Sequence, residues 1–88
     1  MTEFLRPADL VKKAGKARSQ IYRDITAGLL PQPIKIGTRA SAFPVDEVET
    51  VFAARAAGAN DDQLKVLVKR LHTARAERLA TILQGAAK

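Results

Sequence analysis

The stretch that decides the fold is GKARSQIYRDITAGLLPQPIKIGTRASAF, Gly15 to Phe43. It begins with a glycine, runs through RSQIYRDITAGLL, breaks at Pro31 and Pro33, and ends in the alternating PIKIGTRASAF. In the first part Ile21, Ile25 and Leu29 recur every four residues, the inward stripe of a short helix. Setting Ile21 at zero, Ser19 falls at about 160°, Arg23 at about 200° and Gln20 at about 260°. The face opposite the stripe is therefore small or hydrogen-bonding and carries an arginine, with Arg18 and Tyr22 on its flanks. Gly28 is the expected stop, and the two prolines forbid continuation. Beyond them Ile34 and Ile36 point one way and Lys35 the other, then a GTRA turn leads back towards Phe43. This predicts a two-stranded hairpin with its tip at Gly37–Ala40 and with Phe43 and the isoleucines packed on the helices.

Upstream, RPADLVKKAG predicts a helix. Pro7 suits the first helical position, Asp9 favours the dipole in the first turn, Leu10, Val11 and Ala14 share a face, and Gly15 closes it. Downstream, PVDEVETVFAARAAG predicts a third helix with Val48, Val51 and Phe52 inward, Asp46, Glu47 and Glu49 as partners of its N-terminal dipole, and Gly58 as its stop. Asn60 and Gln63 have capping-box spacing and open a fourth helix that runs to Gly85. Its stripe is Leu64, Leu67, Val68, Leu71, Ala74 or Arg75, Leu79, Ile82 and Leu83. About 24 residues of helix span roughly 36 Å, more than a domain of this size can cover. The half around Leu79, Ile82 and Leu83 is expected to project or to meet another chain.

The chain has 88 residues and a formal net charge of +6. The excess is uneven: residues 1–44 hold 8 basic and 3 acidic side chains, residues 45–88 hold 7 and 6. A basic N-terminal half marks a face that meets a polyanion. With no cysteine there is no disulfide, thiolate metal site or cysteine nucleophile. No apolar run is long enough to span a membrane, and MTEFLRPADL lacks the charged and apolar regions of a signal peptide, so a cytoplasmic protein is expected. His72 stands alone, without a metal ligand or nucleophile at helical spacing. No catalytic residue, metal or cofactor is expected.

Helix, short glycine-containing turn, helix, then a basic hairpin is the order of a winged helix-turn-helix. The second helix offers Arg18, Ser19, Gln20, Tyr22 and Arg23 to a DNA groove: arginine reads guanine, glutamine reads adenine, and serine takes base or phosphate. The wing offers Lys35, Thr38 and Arg39 to phosphate or the minor groove. Lys12, Lys13 and Lys16 are candidate phosphate contacts. Each has a plainer alternative. Tyr22 can cap the core edge, Arg23 can pair on its own surface, and the lysines can form a solvated helix face.

Residues from about 4 to 56, LRPADLVKKAGKARSQIYRDITAGLLPQPIKIGTRASAFPVDEVETVFAAR, resemble the AlpA family of small phage- and island-encoded regulators. The specific parts are Ser19, Ile21, Tyr22 and Arg23, the LPQPIKIG segment and the acidic start of the next helix. The resemblance implies the winged helix-turn-helix shared with MerR-type DNA-binding domains and small excisionases. The family usually has Ser or Thr where Ala17 stands, a lost cap worth about 1 kcal/mol unless Ser19 caps a shorter helix instead. It favours Trp at Phe43, and it does not cover the fourth helix.

The expected fold is therefore mainly α with a small β-hairpin: a winged helix-turn-helix over residues 1–58 and a long C-terminal helix over 59–88. The expected partner is double-stranded DNA. The resemblance implies either an excisionase, which binds adjacent sites and steers a tyrosine-type integrase towards excision, or a transcriptional regulator that binds a promoter as a dimer. Self-association through Leu79, Ile82 and Leu83 can be symmetric or head-to-tail. A reading of another class is an antitoxin-like protein-interaction module built around the last helix.

Overall fold

A computed structural model describes residues 3–86. Seven elements follow in order: β1 (Phe4–Leu5), α1 (Pro7–Ala14), α2 (Arg18–Thr26), β2 (Ile34–Lys35), β3 (Ser41–Pro44), α3 (Val45–Ala56) and α4 (Asp61–Ala86). The strands form one antiparallel sheet in the order β1-β3-β2. The mainly helical, winged arrangement matches the expectation from the pattern. The third strand does not: β1 adds to the outer side of β3, with Phe4 opposite Pro44 and Leu5 opposite Phe43. Two residues are too few to show an alternation, so nothing in their order announces a strand.

Each helix forms for a local reason. In α1, Pro7 occupies the first turn, Arg6 N–H donates to Asp9 Oδ2 at 3.3 Å, and Gly15 takes the left-handed conformation at φ 67° that a side chain would strain. Glycine also supplies φ 81° at Gly28, beyond the end of α2. That helix ends at Thr26 with Ala27 as its C-cap, so Gly28 follows as the expected stop, and the chain turns so that Leu30 and Pro31 are buried while Leu29, the last residue of the expected stripe, lies beyond the helix and is half-buried. The expected box at the start of α4 is complete: Asn60 N–H donates to Gln63 Oε1 at 2.9 Å and Gln63 N–H to Asn60 Oδ1 at 2.9 Å.

One core joins all the helices to the sheet. It contains Leu10 of α1, Ile21 and Ile25 of α2, Leu30, Phe43 of β3, Val48 and Val51 of α3, and Leu64 and Val68 of α4. Phe43 is fully buried, as expected, but the wing isoleucines divide: Ile34 is half-buried and Ile36 is 44% exposed. β2 ends at Lys35, so Ile36 already belongs to the turn and leaves the sheet face. The apolar stripe of α4 outruns the core. Leu67 and Leu71 pack against its edge, whereas Leu79, Ile82 and Leu83 are more than half exposed. At about 1.5 Å per residue the helix is roughly 39 Å long, which accounts for the 44 Å long axis of the molecule.

Candidate nucleic-acid interface

The turn between α1 and α2 consists of Gly15, Lys16 and Ala17. Ala17 is the N-cap of α2 and makes no side-chain cap. Ser19 lies inside the first turn and does not replace it, so the first N–H groups of α2 have no side-chain acceptor. Ile21 and Ile25 anchor the helix in the core. The opposite face then points outward by geometry alone: Arg18, Ser19, Tyr22 and Arg23 are all exposed. Among the described residues none of these four forms an ion pair.

The wing is held by pairing of Ile34 with Ala42 and of Lys35 with Ser41. Ile36 N–H donates to the Ala40 carbonyl at 3.0 Å and closes the tip. Lys35, Thr38 and Arg39 are exposed on it. Lys12 and Lys13 are exposed on α1, and Lys13 lies 3.8 Å from Glu49. At that distance and exposure the pair contributes little.

Two expected DNA contacts are engaged within the protein. Lys16 Nζ donates to Asp24 Oδ2 at 2.9 Å, and Gln20 Nε2 donates to Asp24 Oδ1 at 2.9 Å. Asp24 is only 5% exposed. Burial pushes its carboxyl up, but the Lys16 and Gln20 hydrogen bonds, with the charges of Lys16 and Arg55, outweigh this and hold it below the usual carboxylate value. The sequence signal for Asp24 is its position three residues after Ile21, at about 300°, which is within about 60° of the inward direction.

A second polar cluster fastens α4. Arg75 Nε lies 2.9 Å from one Glu47 oxygen and 3.1 Å from the other, and the Arg75 guanidinium also donates to the Gln32 carbonyl at 2.7 Å. Gln32 N–H donates to His72 Nε2 at 3.1 Å. Glu47 is therefore an ion-pair partner from a distant helix, beyond the dipole role its place in the first turn of α3 suggests. His72, one turn before Arg75, serves as a backbone acceptor. Burial lowers its pKa, the Arg75 charge lowers it further, and Glu47 opposes both. These two side chains hold the segment that leads from α2 to the wing.

Alongside, α4 forms one wall of an apolar groove of about 520 Å³ with Ile34, Pro44, Leu71, Leu79 and Ile82 in its lining. Among the described residues no group of three or more His, Asp or Glu side chains could hold a metal ion, and no helix is long and apolar enough to cross a membrane.

The exposed face of α2 and the exposed wing both carry basic side chains, and comparison with known proteins bears on what they serve. Residues 3–55 match the family model of the prophage CP4-57 regulatory protein (AlpA). The chain belongs to the AlpA family. The matched span includes β1, α1, α2, the wing and nearly all of α3, and leaves α4 outside. Membership points to a phage-type regulatory DNA-binding protein. Neither the curated proteins nor the solved structures yield a significant match.

Proposed function

We propose that this AlpA-family chain is an excisionase-type recombination directionality factor. It binds adjacent sites on double-stranded DNA in the bacterial cytoplasm and steers a tyrosine-type integrase of its mobile element towards excision. The observation that supports DNA binding most directly is the exposed row of Arg18, Ser19, Tyr22 and Arg23 on α2, which forms no ion pair among the described residues and is anchored from behind by buried Ile21 and Ile25. In this reading α2 lies in the major groove with Arg23 on a guanine edge, and Lys35, Thr38 and Arg39 meet the backbone or minor groove. Lys12 and Lys13 add phosphate contacts. The protein works by positioning and not by catalysis.

The feature that favours adjacent sites is α4. A recognition unit this small has limited contact area, and neighbours bound to one duplex raise each other's effective concentration. Leu79, Ile82 and Leu83 lie on the face that begins in the core and continues past it. Burial of each against a second copy is worth about 1.5–3 kcal/mol, enough for association on DNA and marginal in dilute solution. The same stripe also suits a two-fold pair on a promoter, the alternative reading of a transcriptional regulator.

Footprinting on DNA flanking its own gene and the nearest integration site separates the two. Several phased footprints support the excisionase, and a single palindromic footprint supports the dimeric regulator. Weak protection everywhere without preference would refute both and favour an antitoxin-like interaction module.

A further inference from the structure

Among the described residues Asp24 is the one charged side chain that is buried, and DNA contact alone does not explain it. It sits on the inward edge of the recognition helix, where a neutral or apolar residue would stabilise a thin core at least as well. Both carboxylate oxygens are committed, Oδ2 to Lys16 and Oδ1 to Gln20, each at 2.9 Å. Lys16 comes from the turn that presents α2, where a free ammonium would be well placed for phosphate. Its side chain is instead 37% exposed and paired with a carboxylate that is 7% exposed. Gln20 is constrained in a different way. An ionised carboxylate only accepts hydrogen bonds, so the amide nitrogen must face Asp24 and the amide oxygen is turned away.

We propose that Asp24 is a specificity-determining residue: it withholds Lys16 from phosphate and fixes which end of the Gln20 amide the recognition helix presents. The inference rests on the DNA-binding reading above. Its physical logic is a ratio. Non-specific affinity grows with each cation that reaches a phosphate, whereas discrimination comes from groups held in one orientation at base edges. Cancelling Lys16 inside the protein lowers binding to all sequences alike. Orienting Gln20 favours bases that offer a hydrogen-bond donor to its oxygen, adenine N6 or cytosine N4. Arg55 of α3 and Lys13 of α1 line the same pocket of about 280 Å³ as Lys16 and Asp24. Of these two, the Arg55 charge helps to keep the carboxylate ionised, and its oxygens stay with Lys16 and Gln20.

The test is a salt titration of binding to a footprinted duplex and to its scrambled version, with wild type, Asp24→Asn, Lys16→Met and the double variant. Asp24→Asn keeps the shape and frees Lys16. On scrambled DNA its log–log salt slope should steepen by about 0.9, so its gain over wild type is about 3.5-fold larger at 50 mM than at 200 mM salt. Its preference for the footprinted duplex should fall. In the double variant the slope should return to the wild-type value. Lys16→Met alone should leave the slope unchanged, because that charge is already cancelled, and this variant reads the proposal even where Asp24→Asn fails to fold. A slope shallower by about 0.9 in Lys16→Met, or an unchanged slope and preference in a folded Asp24→Asn, overturns it. A wild-type protein that does not prefer the footprinted duplex instead overturns the DNA-recognition reading, with the scrambled-duplex slopes still reporting on Lys16.

Discussion

Replacing Arg75 with methionine keeps an aliphatic side chain in the groove it lines with Leu71 and Leu79 and removes the guanidinium. Glu47, with a side chain 11% exposed, then loses its ion-pair partner, and the Gln32 carbonyl loses its donor. Breaking a fully buried pair from one side costs about 3–5 kcal/mol. Arg75 is 25% exposed, so water can reach part of the site, and we expect a loss of about 2–3 kcal/mol. A domain of this length has roughly 4–13 kcal/mol in total, so the variant should remain folded with much of its margin gone. The companion change Glu47→Leu in the same chain removes the stranded charge and should recover most of the loss, because an apolar pair of similar size commonly matches a buried ion pair. Urea unfolding followed by far-UV circular dichroism at neutral pH measures all four corners of the cycle. With a slope of about 1–1.5 kcal/mol/M, the single variant should unfold about 1.3–3 M earlier than wild type. A loss below about 1 kcal/mol, combined with a double variant no more stable than the single one, would show that the guanidinium lies in water and that packing alone holds α4.

Arg23→Ala should lower affinity for the footprinted duplex by about 1–3 kcal/mol without shifting the unfolding midpoint, as measured by fluorescence anisotropy and thermal melting; a loss confined to non-specific binding would make Arg23 a phosphate contact. Arg39→Ala should weaken binding to most duplexes alike and make the salt slope shallower by about 0.9; an unchanged slope with relaxed sequence choice would contradict a backbone role. His72 has a depressed pKa, so the folded chain keeps it neutral where an unfolded chain would protonate it. Its contribution is complete above about pH 6.5 and is lost as the pH falls below that value. His72→Gln should therefore flatten the fall in melting temperature between pH 7 and pH 5, and an unaltered pH profile would count against it. Truncation after Arg75 retains the ion pair but removes Leu79, Ile82 and Leu83, so cooperative binding to adjacent sites should disappear while single-site binding survives. Full cooperativity in the truncated chain would place the contacts in the winged unit.

Features that depend on local spacing were legible in the sequence. The 3.6-residue stripes, Pro7, Gly15, Gly28 and the Asn60–Gln63 box act over a few residues, and each appears in the structure where the pattern places it. The same geometry explains the exposed face of α2, since a helix pinned by Ile21 and Ile25 must turn Ser19 and Arg23 outward. What escaped was long-range or exceptional. β1 needs a partner 40 residues away, and a two-residue strand has no period of its own. Glu47 looks complete as a dipole partner, and nothing near it in sequence shows that Arg75 will arrive from α4. Asp24 runs against the rule that charges face solvent, so a reading that places charges outward passes it over. Ile36 shows the opposite error: alternation was extended one residue past the last strand pair.

Gln32 has a consequence for how the chain can vary in length. It lies between Pro31 and Pro33, neither of which has an N–H, and both of its own backbone groups are bound by side chains one turn apart on α4. Connecting segments usually absorb an added residue at small entropic cost. This one has no slack, because a residue inserted between Gly28 and Pro33 would put a proline nitrogen or a mismatched carbonyl opposite His72 and Arg75. Gly37, Thr38 and Arg39 touch no such partners and face solvent. The fold should therefore tolerate inserted residues at the wing tip, at a cost to DNA contact only, and should not tolerate them a few residues upstream, although both segments read as loop.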